Sequence, residues 1–470
     1  MILILFLKLV LLIDKMPKNE CSPNLVLIIQ YSSSDMVVQG LKRFQAKHDH
    51  YFQSIELFYV SDLENETISE SEIAKPLQQA DIVLVDVRSN RITSSYLEKY
   101  LGDREETDII FLLGMGLGTL NHRLGGFDLA KLIARFKHKD KPAESGSAQE
   151  ADEPDIERFH EEIPERGVDL AFIQRMKDMT IKFGKILPFG AIKKMRHIME
   201  MVSWWESGKI ENFVCILELL ASKYYDLHIS RRQRQKPVES YDAAFWFPEL
   251  GDLEIPISEL LKRIRLDQDK RTIFVLFYGG YHFAHSSILI RELFEKYSSE
   301  WNIIPFYTDG ISTTKYLNDF IDIDAPFDAV LSVLWFPLNG GPGGGRLEYT
   351  HKLFENWNVP VFNGIGLYNQ LKEDYLETEE GLSPITTLAS VIFPEMDGFS
   401  DSLPLIGTEE VDITLSNAAH RVVQPCLFRR NVELMMKRID KRVHLQKKPN
   451  AKKRIALMLL NYPPGEDNIG

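Results

Sequence analysis

TIFVLFYGGYHFAHSSILIRELFEKY (residues 272–297), WNIIPFYTDG (301–310), FDAVLSVLWFPLNGGPGGGRLEYTHKLFENW (327–357) and NVPVFNGIGL (358–367) decide the fold. Each begins with a short apolar, β-branched or aromatic run that does not alternate with polar residues. Such runs suit strands buried on both faces, and the helical patterns that follow most of them make βα units. The expectation is a parallel sheet flanked by helices, in an α/β chain of several domains. Ligands of such sheets bind beyond the carboxyl ends of the strands. The loops that carry chemistry are therefore those holding Tyr278 to His285, Asp309, Asn339 to Arg346, and Gly364 to Gly366.

Outward from this core, a second α/β pattern occupies residues 24–136, with strands expected at 25–30, 55–60, 82–87 and 109–114 and a helix over 36–47. Gly114, Gly116 and Gly118 follow the last of these, but Thr119 stands where a dinucleotide fingerprint needs its third glycine. A tight strand-to-helix turn is the expectation there. Residues 137–168 are polar and acidic without apolar period and read as a linker. Helical patterns fill 169–236, an insertion ending in RRQRQK (231–236), which reads as a solvated basic loop. The central α/β domain runs over 237–407, a polar helical connector over 408–451, and a last domain starts at 452–470 with a strand at 455–460. No internal sequence repeat stands out.

At 470 residues with 44% hydrophobic content, the chain can bury substantial cores. A net charge of −13 and a pI near 5.5 exclude a nucleic-acid partner, whose phosphates demand a basic face. Cys21, Cys215 and Cys426 are odd in number and far apart, so neither a disulfide framework nor a paired-cysteine metal site is indicated, and a reducing cytoplasm is expected. The N-terminal MILILFLKLVLLI is interrupted by Lys8 and falls short of the roughly 20 residues that cross a bilayer. It reads as an upstream start before Met16, a buried element, or an anchor; membrane residence is not expected.

Six stretches occur in the order of one known family: WWESGKIENFVCILELLASKYYD (204–226), VLFYGG (275–280), FDAVLSVLWFPLNGGP (327–342), NVPVFNGIGLYNQ (358–370), GLSPITTLASVIFPEMDG (381–398) and KRIALMLLNYPPGEDNIG (453–470). In these the chain resembles the large, tetrapyrrole-binding subunit of cobaltochelatase and magnesium chelatase, the CobN type most closely. The resemblance implies insertion of a divalent metal, Co2+ or Mg2+, into a porphyrin-like or corrin-like ring, with ATP hydrolysed by separate AAA+ partner subunits rather than bound here. Members of the family are much longer, so the resemblance also implies an N-terminal part, inactive in metal insertion by itself. The alternative is a non-catalytic tetrapyrrole-binding or carrier module.

Candidate site residues follow. Gly340 and Gly345 have the separation of a phosphate loop, but Arg346 and Leu347 replace its lysine and hydroxyl residue, so magnesium has no ligand there. What survives is an anion site of Gly343, Gly344, Gly345 and the Arg346 guanidinium, suited to tetrapyrrole carboxylates, or else a glycine loop built for close packing. His282 and His285, with Tyr278 beside them, stand at a strand's carboxyl end, where imidazoles coordinate a divalent metal and rings stack on a macrocycle. They are the expected metal ligands and, with Tyr278, substrate contacts. Glu348 and His351 share a helix at a spacing compatible with metal ligands or with solvent exposure. Glu395 and Asp397, in the PEMDG turn, either accept the protons leaving the pyrrole nitrogens or cap the turn.

Overall fold

The computed structural model describes residues 22–49, 51–86, 91–112, 122–131, 190–341, 345–415 and 418–457. The glycine turn at Gly114 to Gly118, the acidic stretch 137–168, and Gly343 and Gly344 lie outside them.

The first sheet is built from β1 (Asn24–Ile29), β2 (Ser54–Tyr59), β3 (Ile82–Val85), β4 (Asp108–Phe111), β5 (Arg123–Leu124) and β6 (Phe127–Asp128), in the order β2-β1-β3-β4-β5-β6. The pairs among β2, β1, β3 and β4 are parallel, and the two short strands add antiparallel. A parallel strand has helices on both sides, and β1 is apolar in both directions for that reason. Leu25, Leu27 and Ile29 meet α1 (Ser34–Lys47) on one face. Val26 and Ile28 meet α2 (Val60–Glu64), α3 (Glu70–Gln79) and α4 (Arg91–Leu101) on the other. Helices α5 (Gly190–Glu206) and α6 (Ile210–Tyr224) join the first face, contributing Met195, Ile198, Trp205, Phe213 and Ile216 to one core with β1. The helical region read from the sequence thus completes the first lobe.

The second sheet has eight strands: β7 (Ala243–Phe247), β8 (Gly251–Leu253), β9 (Arg271–Tyr278), β10 (Trp301–Thr308), β11 (Ala329–Val333), β12 (Val361–Leu371), β13 (Ser400–Leu415) and β14 (Ala418–Leu427). Their order is β14-β13-β12-β11-β9-β10-β7-β8. The five strands from β13 to β10 run parallel, and β7, β8 and β14 add antiparallel at the two ends. The helices here are α7 (Ile257–Arg263), α8 (Phe283–Tyr297), α9 (Thr313–Phe320), α10 (Leu347–Trp357), α11 (Lys372–Glu377), α12 (Pro384–Thr387), α13 (Phe393–Asp397) and α14 (Arg429–Lys447). Alternate residues of β9 divide between the two faces: Ile273, Val275 and Phe277 pack with α8 and α14, Phe274 and Leu276 with α7, α9 and α10. The parallel α/β architecture expected from the sequence is therefore present in both lobes.

Two features differ from the sequence reading. Residues 408–415 and 418–427, expected inside a helical connector, form the outer part of the β13–β14 hairpin, whose alternating polar residues hide the strand pattern. Residues 455–457, expected to open a strand, are irregular, with Ile455 91% exposed; residues 458–470 lie outside the described set.

The order β2-β1-β3-β4 in the first lobe recurs as β10-β9-β11-β12 in the second. In each, the first strand ends in a 3-10 turn, Tyr31–Ser33 or Gly280–His282, and continues into a long helix, α1 or α8. These two turns pack against each other, so the carboxyl edges of the sheets face across one seam. The hairpin spans it: Val423 N donates to Tyr59 OH (3.0 Å) and Ser34 Oγ (3.2 Å), and Arg421 pairs with Asp62 at 2.9 Å.

Within the first lobe α1 and α6 cross at Gly40, where a Cβ would overlap the buried Phe213 ring. Gly40→Ala is expected to destabilise the protein by about 1–3 kcal/mol through overpacking. Urea unfolding followed by far-UV circular dichroism checks this, and an unchanged midpoint contradicts the close crossing.

Candidate functional site

The carboxyl edge of the second sheet gathers groups from segments far apart in sequence. β9 ends at Tyr278, and Gly279 N donates to Thr308 O at 3.0 Å. Gly280 takes φ +62°, and a Cβ there would stand 2.9 Å from the Glu206 carbonyl at the end of α5. The turn then carries His282 inward. Its ring stacks on Tyr368 from β12, with centroids 4.3 Å apart and planes at 26°, and meets Trp335 edge-on at 5.2 Å. Tyr278 approaches His282 at 5.4 Å. His285, one helical turn on, meets the same Tyr368 ring at 5.3 Å and 75°. Both histidines are buried, and neither ring nitrogen of His285 has a hydrogen-bond partner. Burial holds the His285 imidazole neutral, its pKa pushed down to about 3.

Trp335 follows β11 and has φ +78°, a conformation that costs a bulky residue about 1–3 kcal/mol and persists only where neighbours enforce it. Here the neighbour is Ser390, in a π-helical turn over Leu388–Ile392, whose hydroxyl donates to Trp335 O at 2.7 Å. Asn363 of β12, buried in the sheet, donates to Ser390 O at 2.7 Å. Together they frame a cavity of about 350 Å³ lined by Trp335, Phe336, Leu367, Tyr368, Ile385 and Leu388 among others, with Gln370, Ser383 and Thr386 as its polar members. Its lining is mostly aromatic and aliphatic.

Tyr278, His282 and His285 are thus brought together as expected, in an aromatic cluster rather than an open ligand set. Among the described residues no three His, Cys, Asp or Glu side chains gather as metal ligands would. The PEMDG carboxylates do not join the histidines. Asp397 is buried and its Oδ2 accepts Leu338 N at 2.7 Å, which fastens the loop after β11; burial raises its pKa. Glu395 is exposed on the surface of α13. Gly345 and Arg346 are exposed at the start of α10, with φ of +147° and +55°, and Gly343 and Gly344 lie outside the described residues. His351 is spent on Met396 O at 2.8 Å. The basic loop over 231–236 is largely exposed, as its composition suggests.

Sequence reasoning singled out neither Trp335 nor Tyr368, nor the Asn363–Ser390 pair that holds the loop. A buried asparagine in an apolar parallel strand and a Trp-Phe-Pro run at a strand end were the available signals.

Among the described residues no helix is long and apolar enough to cross a membrane. Residues 202–470 match the family model described as CobN/Magnesium Chelatase. The chloroplastic magnesium-chelatase protein ChlH of Oryza sativa subsp. indica is 24% identical over 304 residues, 61% of this chain and 21% of that protein. The corresponding magnesium-chelatase protein of Cereibacter sphaeroides is 21% identical over 318 residues, 63% of this chain and 26% of that protein. The chain spans about a fifth to a quarter of the length of these relatives. A solved structure titled as the catalytic subunit of cobaltochelatase from Mycobacterium tuberculosis aligns at 14% identity with a TM-score of 0.44, over 92% of this chain and 28% of that one.

The buried neutral His285 gives a pH test. Its folded pKa, about 3, lies below its ordinary value of 6.5, so its neutral form contributes stability above pH 6.5 that is lost as the pH falls toward 3. A shift of that size corresponds to on the order of 5 kcal/mol. The variant His285→Leu is expected to lose less stability than the unsubstituted chain between pH 6.5 and 4. Urea midpoints across that range decide the matter, and parallel pH profiles refute a buried neutral imidazole.

Proposed function

The chain belongs to the CobN/magnesium chelatase family, and from that membership we propose that it is the part of a metal chelatase that receives a tetrapyrrole and presents it to cobalt or magnesium. The observation that carries the proposal is convergence. Four stretches shared in pattern with the family, 275–280, 327–342, 358–370 and 381–398, all meet at the carboxyl edge of the second sheet, and a fifth, 204–226, abuts it through Glu206 at Gly280. That edge is where parallel α/β sheets bind ligands.

The chemistry supports the same reading. Insertion of a divalent metal into a tetrapyrrole replaces two pyrrole protons, so the protein must grip a flat ring, keep water from it and let protons leave. Aromatic faces such as Trp335 and Tyr368 suit a π-system, and the exposed Arg346, later on the same β11–α10 connection as Trp335, suits a ring carboxylate. His282 and His285 are the imidazoles behind this wall and remain the proposed metal contacts, reached once the ring cluster opens. Asp397 is assigned the task of holding the loop after β11 instead of proton transfer. ATP hydrolysis belongs in this proposal to AAA+ partner subunits, and the reducing cytoplasm inferred from the cysteines is its compartment.

The test is a titration of the purified chain with hydrogenobyrinic acid diamide and with protoporphyrin, followed by tryptophan quenching and the ring's absorption. Saturable binding of one of them in the micromolar range is expected, weakened several-fold in Arg346→Ala. Absence of binding to either ring overturns the proposal.

A further inference from the structure

Resting on the function proposed above, we propose that the face of the macrocycle is received in the cavity between Trp335 and the π-helical turn, and that Ser390 is the positioning residue that keeps this cavity open. Three independent features of the molecule meet there.

The first is shape and lining. At about 350 Å³ the cavity lies within the roughly 300–1,000 Å³ of small-molecule sites, and its wall is almost wholly hydrocarbon. Trp335, Phe336 and Tyr368 offer ring surfaces, and Leu367 and Leu388 add aliphatic surface. A flat, apolar, π-faced ring is the ligand chemistry that such a lining recognises, while Gln370, Ser383 and Thr386 can meet polar substituents.

The second is uncovered apolar surface continuous with the cavity. Ile385, Leu388, Ile392 and Met396 recur at helical spacing along the segment that forms the outer wall, and all four are exposed, Ile385 at 73%. Contiguous apolar exposure of this kind marks a binding surface. A macrocycle has two faces and a wide rim, so a ring seated on Trp335 and Tyr368 extends over this strip.

The third is strain with a visible cause. Trp335 is held left-handed by Ser390 Oγ on its carbonyl, and Ser390 is in turn held by Asn363. A π-helical turn and a strained aromatic residue each cost stability, and both are commonest at functional sites. Without the Ser390 hydroxyl the Trp335 backbone is free to relax, and its indole, which now forms one wall, fills the space. Ser390 touches no ligand in this arrangement; it acts through Trp335.

The experiment compares ring affinity and urea stability in Ile385→Glu, Ser390→Ala, Ser390→Thr and Trp335→Phe. Ile385→Glu is largely solvent-exposed and is expected to leave the urea midpoint unchanged while weakening the ring at least about tenfold. Ser390→Ala is expected to weaken the ring several-fold, with affinity restored in Ser390→Thr. Trp335→Phe is expected to keep most of the affinity and lose most of the ring-induced tryptophan quenching. Ring affinity unchanged in both Ile385→Glu and Ser390→Ala assigns the apolar strip to a protein contact and overturns the proposal, leaving the tetrapyrrole function intact. Equal loss in the Ala and Thr variants removes the positioning role of Ser390. Failure of the unsubstituted chain to bind any ring overturns both this proposal and the function on which it rests.

Discussion

A single close approach sets the relation of the two lobes. At Gly280 the chain leaves β9 with a positive φ, and the Glu206 carbonyl at the end of α5 comes to within 2.9 Å of where a side chain would begin. Any other residue would meet both a backbone conformation disfavoured for side chains and a carbonyl it cannot displace. Helices α5 and α6 share their core with β1, so the contact ties the first lobe's packing to the second lobe's main loop. The Tyr31–Ser33 and Gly280–His282 turns then press together, and the carboxyl edges of both sheets close on one seam.

That seam buries a group of polar side chains. Ser32, Ser33, Ser34 and Asp86 from the first lobe and His282, His285 and Ser286 from the second are all almost wholly removed from solvent. Ser33 donates to Asp86 at 2.7 Å and Ser34 shares a hydrogen with Tyr59 at 2.6 Å. Buried polar groups also occur within the lobes, among them Asp108, Asn212, Glu218, Thr308 and Asn339, beside the apolar clusters. Burying polar groups costs free energy unless each finds a partner, so a fold that needed only stability would put hydrocarbon here. The second lobe's sheet is stable by its apolar layers, which leaves its carboxyl edge free to carry strain at Trp335 and neutral imidazole at His285.

The strands of the second sheet were legible because they are continuous apolar runs closed by glycine, a pattern produced by burial on both faces. The β13–β14 hairpin was not, because TEEVDITL alternates and has charges on one side, so its polarity suggests a connector. Helices α5 and α6 were legible as helices; their partner was not, since nothing in a helical stripe names the sheet it covers. The site followed the same division. His282 and His285 announce themselves by type and by their position after a strand. Their burial comes from Tyr368 and Trp335, residues brought in by other strands of the sheet, and only the register of β9, β11 and β12 puts those rings together. The anion cradle read from the glycine loop rests on Gly343 and Gly344, which lie outside the described residues, while Gly345 and Arg346 are exposed at the start of α10.

The repeated strand order makes the asymmetry between the lobes informative. Both sheets have a crevice between their first and third strands, where successive connections leave in opposite directions and where ligands of this class of sheet are held. In the first lobe the hairpin closes over the ends of β1 and β2. Val423 N rests on Tyr59 and Ser34, Arg421 reaches Asp62, and Tyr31 donates to the same Asp62. In the second lobe the open space lies beside the equivalent point, between the ends of β11 and β12, where Trp335 and Tyr368 line a cavity. One carboxyl edge thus anchors the hairpin that joins the lobes, and the other carries the cavity. The shared strand order with one covered and one open carboxyl edge is what favours the second sheet, where the family-like stretches also meet, as the ligand-binding side of the proposed function.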